Sequence, residues 1–446
     1  VLRSKPPVES TRRLRTALYL LIPLLVVLPL LGYSSAAVGI ASYLLVAVTL
    51  CYSYVTLISG SASCKLTDVS VSLAGGAASL KVVLELSCRP TCYGFEVSLN
   101  LPPQLVVEAS TYRVKVALAE TSGRLALDIP IARRTGLHVV GPLVVAATDP
   151  LGLFRRAVYV RESLVVRIPP EVAAAPLARW YGIMRASSGA RTLTPGHGLE
   201  YHSTRDYEPG DELRVIDWKA AARIGRLFVK TFEVETPIKV FLLVDALPHM
   251  FVGGPKTLFE YCADLTVAIA NYLLRRGDAV EVAVVSEDGV RRSGELRSVA
   301  RLQKVLEVLA NVRWPTTSPY TVVEPRPMGR AIEALRDSLA SASVVVVLTS
   351  TLGSNVRLDE LKALHSFLRS RGGELLVIIP LASFFSAKSP VEDSLYRVLR
   401  FDVLSRELRS LENLRKLNLK VIALTPSKAL EKAVAELERM RRAKVL

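Results

Sequence analysis

KVFLLVDALPHM, residues 239–250, decides the fold of the C-terminal half. One lysine leads five consecutive apolar residues, and the run breaks at Asp245 and Pro248. A short apolar run ended this way reads as a strand buried on both faces. Similar runs recur at 279–285, 343–349, 374–380 and 420–424. Between and around them, helical periodicity covers 257–275, 298–312, 329–340, 358–371, 403–417 and 427–443. Alternation of this kind predicts a parallel sheet with helices on both faces over 238–446. Ligands in such sheets bind at the carboxyl ends of strands, which makes Asp245 the position to inspect.

Immediately upstream, residues 196–235 read GHGLEYHSTRDYEPGDELRVIDWKAAARIGRLFVKTFEVE. Pro209-Gly210-Asp211 signals a tight turn, and Asp211 is placed to cap a turn C-terminal to it. A helix is expected through Lys219–Ala222 and a strand from Leu227 to Val234. Eight carboxylates alternate here with six Lys or Arg side chains, interleaved with Tyr207, Trp218 and Phe232. That density predicts a partly buried ion-pair network among Asp211, Arg214, Asp217 and Arg223. Two roles fit it: a site for an anionic ligand or protein partner through Arg205, Arg214 and Arg223, or a brace holding this segment to the next domain. Sequence physics favours the brace.

Further towards the N-terminus, 64–170 shows period-two alternation at 80–86, 95–99 and 112–116. Gly75-Gly76 and Ser122-Gly123 read as hairpin turns between strands, and a small β-sandwich is expected. At its end, RRTGLHVVGPLVVAATDPLGLF (133–154) places Gly136, Gly141 and Gly152 where turns need positive φ. Before this domain no charged residue occurs between Arg15 and Lys65. That stretch exceeds what one helix needs to cross a bilayer, and it divides at Gly32-Tyr33-Ser34-Ser35. Two spans, 16–33 and 36–58, are expected. The basic segment 1–15, with Arg3, Lys5, Arg12, Arg13 and Arg15 against Glu9, predicts a cytoplasmic N-terminus. Two spans then return the bulk of the chain to the cytoplasm. A cleaved signal peptide ending near Ser35-Ala36-Ala37 is the alternative.

Composition agrees with an anchor joined to globular domains: 50% hydrophobic residues with 22% charged over 446 residues. The net charge of +16 is spread along the chain rather than concentrated in a stripe, which favours an anionic lipid surface over nucleic acid. Scarce Asn and Gln point to a thermophilic source. Of five cysteines, only Cys88 and Cys92 lie close together; without neighbouring ligands they read as structural thiols or a local disulfide rather than zinc ligands. The five histidines, His138, His197, His202, His249 and His365, show no metal-ligand spacing, and neither a P-loop nor a dinucleotide fingerprint occurs.

The 196–235 segment closely resembles the signature of the bacterial and archaeal family of unknown function numbered fifty-eight. The matching residues are Gly198, Glu200, Arg205, Tyr207, Gly210, Asp211, Arg214, Ile216, Asp217 and Trp218, followed by Ala222-Arg223 and by Lys230, Phe232 and Glu233. The upstream R-x-G, G-P-L and D-P-L-G-L-F elements and the two N-terminal spans are similar too. The resemblance implies a C-terminal domain like von Willebrand factor A and a MoxR-type AAA+ ATPase as neighbour. Such domains can hold Mg²⁺ through D-x-S-x-S after the first strand, oxygen ligands suited to a hard cation. Here that motif is Asp245-Ala246-Leu247-Pro248-His249, with both serines replaced, and the later strand ends in Thr349-Ser350-Thr351 without a carboxylate. A degenerate metal position at Asp245 and no cofactor are expected. The expected function is a membrane-anchored, non-enzymatic scaffold acting with the ATPase. The competing expectation is an enzyme using Asp211, Asp217 and Arg223 on an anionic substrate.

Overall fold

The computed structural model describes residues 7–30, 32–74, 77–88, 94–116, 122–171, 200–233, 237–253, 256–315, 327–351, 357–381, 393–424 and 429–445. Gly75-Gly76, Cys92, His197 and Gly198 lie outside them. The chain divides into two compact units, Val1–Pro169 and Pro170–Leu446.

In the first unit two helices, α1 (Arg12–Leu30) and α2 (Ser34–Ser61), pack against each other across a turn at Gly32, whose φ is +86°. By length and composition α2 is able to cross a membrane. Helix α1 carries Arg12, Arg13 and Arg15 in its opening turns and Pro23 and Pro29 further on. Ten strands complete the unit: β1 (Glu9–Ser10), β2 (Ser63–Ala74), β3 (Ala77–Ser87), β4 (Phe95–Asn100), β5 (Thr111–Val116), β6 (Ser122–Ile131), β7 (Gly136–Val140), β8 (Leu143–Thr148), β9 (Phe154–Arg161) and β10 (Leu164–Ile168). They form a five-stranded sheet, β1-β9-β8-β4-β5, a three-stranded sheet, β2-β3-β6, and the pair β10-β7.

Period-two alternation is why these strands share one core. Leu80, Val82, Leu84 and Leu86 of β3 point inward with Phe95, Val97 and Leu99 of β4, Val145 of β8 and Val166 of β10. Ser122-Gly123 is not a turn: both residues open β6, opposite Ser87 and Leu86, where glycine costs little at a ladder's end. Gly136, Gly141 and Gly152 all take positive φ, at +132°, +144° and +69°. At Gly141 a β-carbon would also stand 2.5 Å from the Glu162 carbonyl oxygen. Cys88 is disulfide-bonded, while Cys51, Cys64 and Cys262 are free thiols.

The second unit opens with β11 (Glu200–Asp206) paired antiparallel to β12 (Phe228–Glu233), with the short helix α3 (Trp218–Ile224) between them. Then come β13 (Lys239–Ala246), α4 (Leu258–Arg276), β14 (Ala279–Ser286), β15 (Gly289–Leu296), α5 (Gln303–Ala310), α6 (Pro327–Ala334), α7 (Arg336–Ala340), β16 (Val344–Leu348), α8 (Arg357–Arg369), β17 (Glu374–Pro380), α9 (Asp393–Lys416), β18 (Lys420–Leu424) and α10 (Ala429–Val445). The sheet order is β15-β14-β13-β16-β17-β18. Helix α4 begins with a full capping box, in which Thr257 and Glu260 satisfy each other's backbone N–H.

Every pairing in this sheet is parallel except β14 with β15. The edge strand β15 departs from the all-parallel expectation. Its Arg291, Arg292 and Glu295 face water, so it lacks the apolar run that marks the buried strands. The expected helices 298–312 and 329–340 each break into two shorter pieces. One face of the sheet, through Val240, Leu242 and Val244, packs on α4 and α10; the other, through Phe241 and Leu243, packs on α6 and α8. Strand order reverses between β13 and β16, so their carboxyl ends flank the crevice where doubly wound sheets take ligands.

Candidate functional site

The signature segment folds as a strand pair closed by a braced loop. The Arg205 guanidinium donates to Asp211 at 2.5 Å, and the other Asp211 oxygen accepts the Glu208 N–H at 3.0 Å. Gly210 takes φ +115° at the turn, which only glycine enters freely. Asp211 therefore closes the turn behind it rather than capping one C-terminal to it. The adjacent guanidinium holds its carboxyl below the usual carboxylate range. Asp217 caps α3 by accepting the Ala220 N–H at 3.2 Å, and its second oxygen lies 3.5 Å from Lys230 Nζ. That cap depresses the Asp217 pKa, with Lys230 adding to it. Gly225, at φ +73°, ends the helix in the left-handed conformation. Beneath these contacts Ile216 and Val229 are buried against each other across an isolated bridge.

The ion pairs differ from those expected. Arg205 and Lys230 partner the two aspartates, while Arg214, Arg223 and Arg226 form no ion pair among the described residues. All three are exposed. None of the α3 residues is buried. Trp218 is 61% exposed, Leu213 67% and Ile224 62%, and Leu227 is exposed beside them. Tyr207 is half-buried, with its N–H donated to the Leu227 carbonyl. Glu200 lies on β11, in register with Glu233.

Asp245 is built the opposite way. It ends β13 fully buried, and its Oδ1 accepts the Leu247 N–H at 3.0 Å. Its Oδ2 accepts the Thr349 hydroxyl at 2.6 Å and lies 3.2 Å from His249 Nε2. The replaced serine position is thus occupied by an imidazole that folds back onto the carboxylate. Leu247 and Met250 are core residues, and Phe251 and Val252 beyond them are half-buried. Burial also pushes the nearby Cys262 thiol pKa up. Beside Asp245, a cavity of about 190 Å³ is lined by Ala246, Ser286, Glu287, Asp288, Arg313 and Trp314. Among the described residues, no cluster of three or more His, Cys, Asp or Glu is placed to hold a metal ion.

Sequence reasoning missed Lys230 as the partner of Asp217 and the exposure of Leu213 and Ile224. The first was not readable from spacing, because the pairing of β11 with β12 is what returns Lys230 alongside Asp217. The second was hidden, because apolar residues within a charged segment read as core.

With this geometry in place, comparison with known proteins is informative for one stretch. Residues 203–379, spanning the signature loop and the first strands of the α/β sheet, match the family described as "Protein of unknown function DUF58". An "Uncharacterized protein YeaD" of Bacillus subtilis (strain 168) is 29% identical over 101 residues, 23% of this chain and 24% of that protein. The chain thus matches about a quarter of that relative's length. Solved structures resemble it only in part. OgpA from Akkermansia muciniphila aligns with 22% of this chain and 27% of its own at 14% identity and a TM-score of 0.15. A β-D-mannosidase from Dictyoglomus thermophilum aligns with 77% of this chain and 33% of its own at 12% identity and a TM-score of 0.19. Scores this low carry no argument about fold or chemistry.

Proposed function

We propose that the chain is a membrane-anchored, non-enzymatic interaction protein that binds a MoxR-type AAA+ ATPase through its signature loop. The observation that carries this reading is the surface of 213–227. Leu213, Trp218 and Ile224 stand in water beside Arg214 and Arg223, which lack ion-pair partners among the described residues; tryptophan and arginine are the residue types that anchor protein interfaces. Asp211 and Asp217 are committed to a turn and a helix cap, and Arg223 joins neither, which weighs against the anionic-substrate enzyme. The order β15-β14-β13-β16-β17-β18, with one antiparallel edge, supports a von Willebrand factor A-like domain. Its metal position is taken up by Thr349 and His249, which disfavours Mg²⁺ there.

The two-span anchor draws support from where the helices are rooted. Thr11, just before α1, bonds to Gly152 and Leu153, while Ile58 near the end of α2 enters the sandwich core. Both ends of the hairpin therefore meet the same β-domain. Between them Tyr19, Leu20, Leu30, Val38, Tyr43 and Leu57 are each at least 70% exposed, a surface suited to lipid rather than water. With the basic N-terminus inside, the bulk of the chain is cytoplasmic and takes a protein partner rather than nucleic acid. Pull-down of the ATPase by the full chain in detergent, with and without EDTA, tests the proposal. Capture unaffected by chelation is expected. Absence of capture would remove the partnership, and capture lost on chelation would restore a metal-dependent mechanism.

A further inference from the structure

Two cations meet over one glycine at the base of the helical hairpin. A β-carbon placed on Gly152 would lie 3.5 Å from Arg13 Nη1 and 3.7 Å from Lys115 Nζ, which holds the two charges within roughly 7 Å of each other. Neither forms an ion pair among the described residues. Glu96, the register neighbour of Lys115 across β4, makes no bridge to it, and Glu9 is engaged by Arg155. Both side chains are exposed, so their mutual repulsion is weak in water, and an anion placed between them is attracted by both.

The floor beneath them is fixed. The turn 149–154 is held by the Phe154 N–H on Asp149 Oδ1 at 2.6 Å and the Gly152 N–H on the Asp149 carbonyl at 2.9 Å. Thr11 fastens α1 to the same turn through its hydroxyl, donated to the Gly152 carbonyl at 2.7 Å. Gly152, at φ +69°, adds no side chain to fill the space. Arg12 and Arg15, also exposed and without a carboxylate partner among the described residues, flank Arg13. The uncharged run begins immediately afterwards, at residue 16. A phosphate bound here would lie where the helices leave the polar domain for the apolar segment.

We propose that Arg13, Lys115 and the Gly152 turn form a phosphate site that takes the headgroup of an anionic phospholipid. The inference rests on the membrane-anchored reading above. The ligand is a phosphate ester carried on a lipid, recognised by two charge-assisted contacts at a cradle without a side chain. Full-length protein is reconstituted in neutral phosphatidylcholine nanodiscs doped with phosphatidylglycerol, and lipid retention is read by native mass spectrometry. Wild type should retain phosphatidylglycerol over phosphatidylcholine. Arg13→Gln and Lys115→Gln should each lower that preference roughly five-fold while leaving the melting temperature unchanged. Lys115→Gln, on an exposed strand position, keeps the test available if Arg13→Gln disturbs α1. Equal retention of both lipids, or a preference untouched by Lys115→Gln, would overturn the site. Inorganic phosphate that competes as well as the lipid would assign the site to a soluble anion and overturn the lipid assignment. Failure of wild type to enter nanodiscs would overturn the membrane reading itself.

Discussion

At Asp245 both carboxylate oxygens face donors from within the unit, and the residue is wholly buried. Around 213–227 the balance is reversed: the aspartates are satisfied, while Trp218, Leu213 and three arginines stand in water. Both regions lie where a ligand could be sought from sequence. The difference teaches where binding capacity remains. Donors and acceptors already matched inside a fold hold the fold together; apolar and cationic groups left in water are available to something else.

The sharpest way to break this comparison is to remove the buried carboxylate. Asp245→Ala strands the Leu247 N–H and the Thr349 hydroxyl, at about 1–3 kcal/mol for each buried donor left unsatisfied. A large fall in melting temperature is expected. An Asp245→Ala protein as stable as wild type would show that the carboxylate serves a ligand instead.

A second buried polar group extends the contrast to the β-sandwich. Burial lowers the His138 pKa from 6.5 to about 4. The unfolded chain then binds a proton below about pH 6.5 that the folded chain refuses until about pH 4. Stability should therefore fall as pH drops through that window, by roughly 3 kcal/mol in all. Thermal unfolding of wild type and His138→Asn across pH 4–7 measures it; parallel profiles for the two would refute the assignment.

Asp217→Ala should cost less than Asp245→Ala. A lost helix cap and a half-exposed contact with Lys230 are all that it removes. A loss equal to that at Asp245 would mean the signature segment is buttressed as deeply as the strand end. Smallest of all in stability should be Trp218→Ala and Arg223→Glu, since none of the α3 residues is buried.

Much of the α/β unit was legible because its buried strands are apolar runs. Lys239–Ala246, Glu374–Pro380 and Lys420–Leu424 form strands with the boundaries expected. The strand β15 was not, since an edge strand whose Arg291 and Arg292 meet water carries no such run. Gly136, Gly141 and Gly152 were legible because a left-handed turn leaves glycine as its residue. The ion-pair partners of the signature were not: Arg205 with Asp211 and Lys230 with Asp217 depend on how β11 and β12 pair, which spacing alone does not fix. The convergence of Arg13 and Lys115 was invisible for the same reason, as the sheet brings together residues far apart in the chain.

The central claim is that the signature loop, not the strand end at Asp245, is the docking surface. It is tested most directly by the affinity of a MoxR-type AAA+ ATPase for full-length wild type, Trp218→Ala, Arg223→Glu and Asp245→Asn in nanodiscs. The account predicts at least about ten-fold weaker binding for each of the two loop variants, with unchanged melting temperatures. It also predicts near wild-type binding by whatever fraction of Asp245→Asn remains folded. Loop variants that bind like wild type, with binding lost in a folded Asp245→Asn, would contradict it.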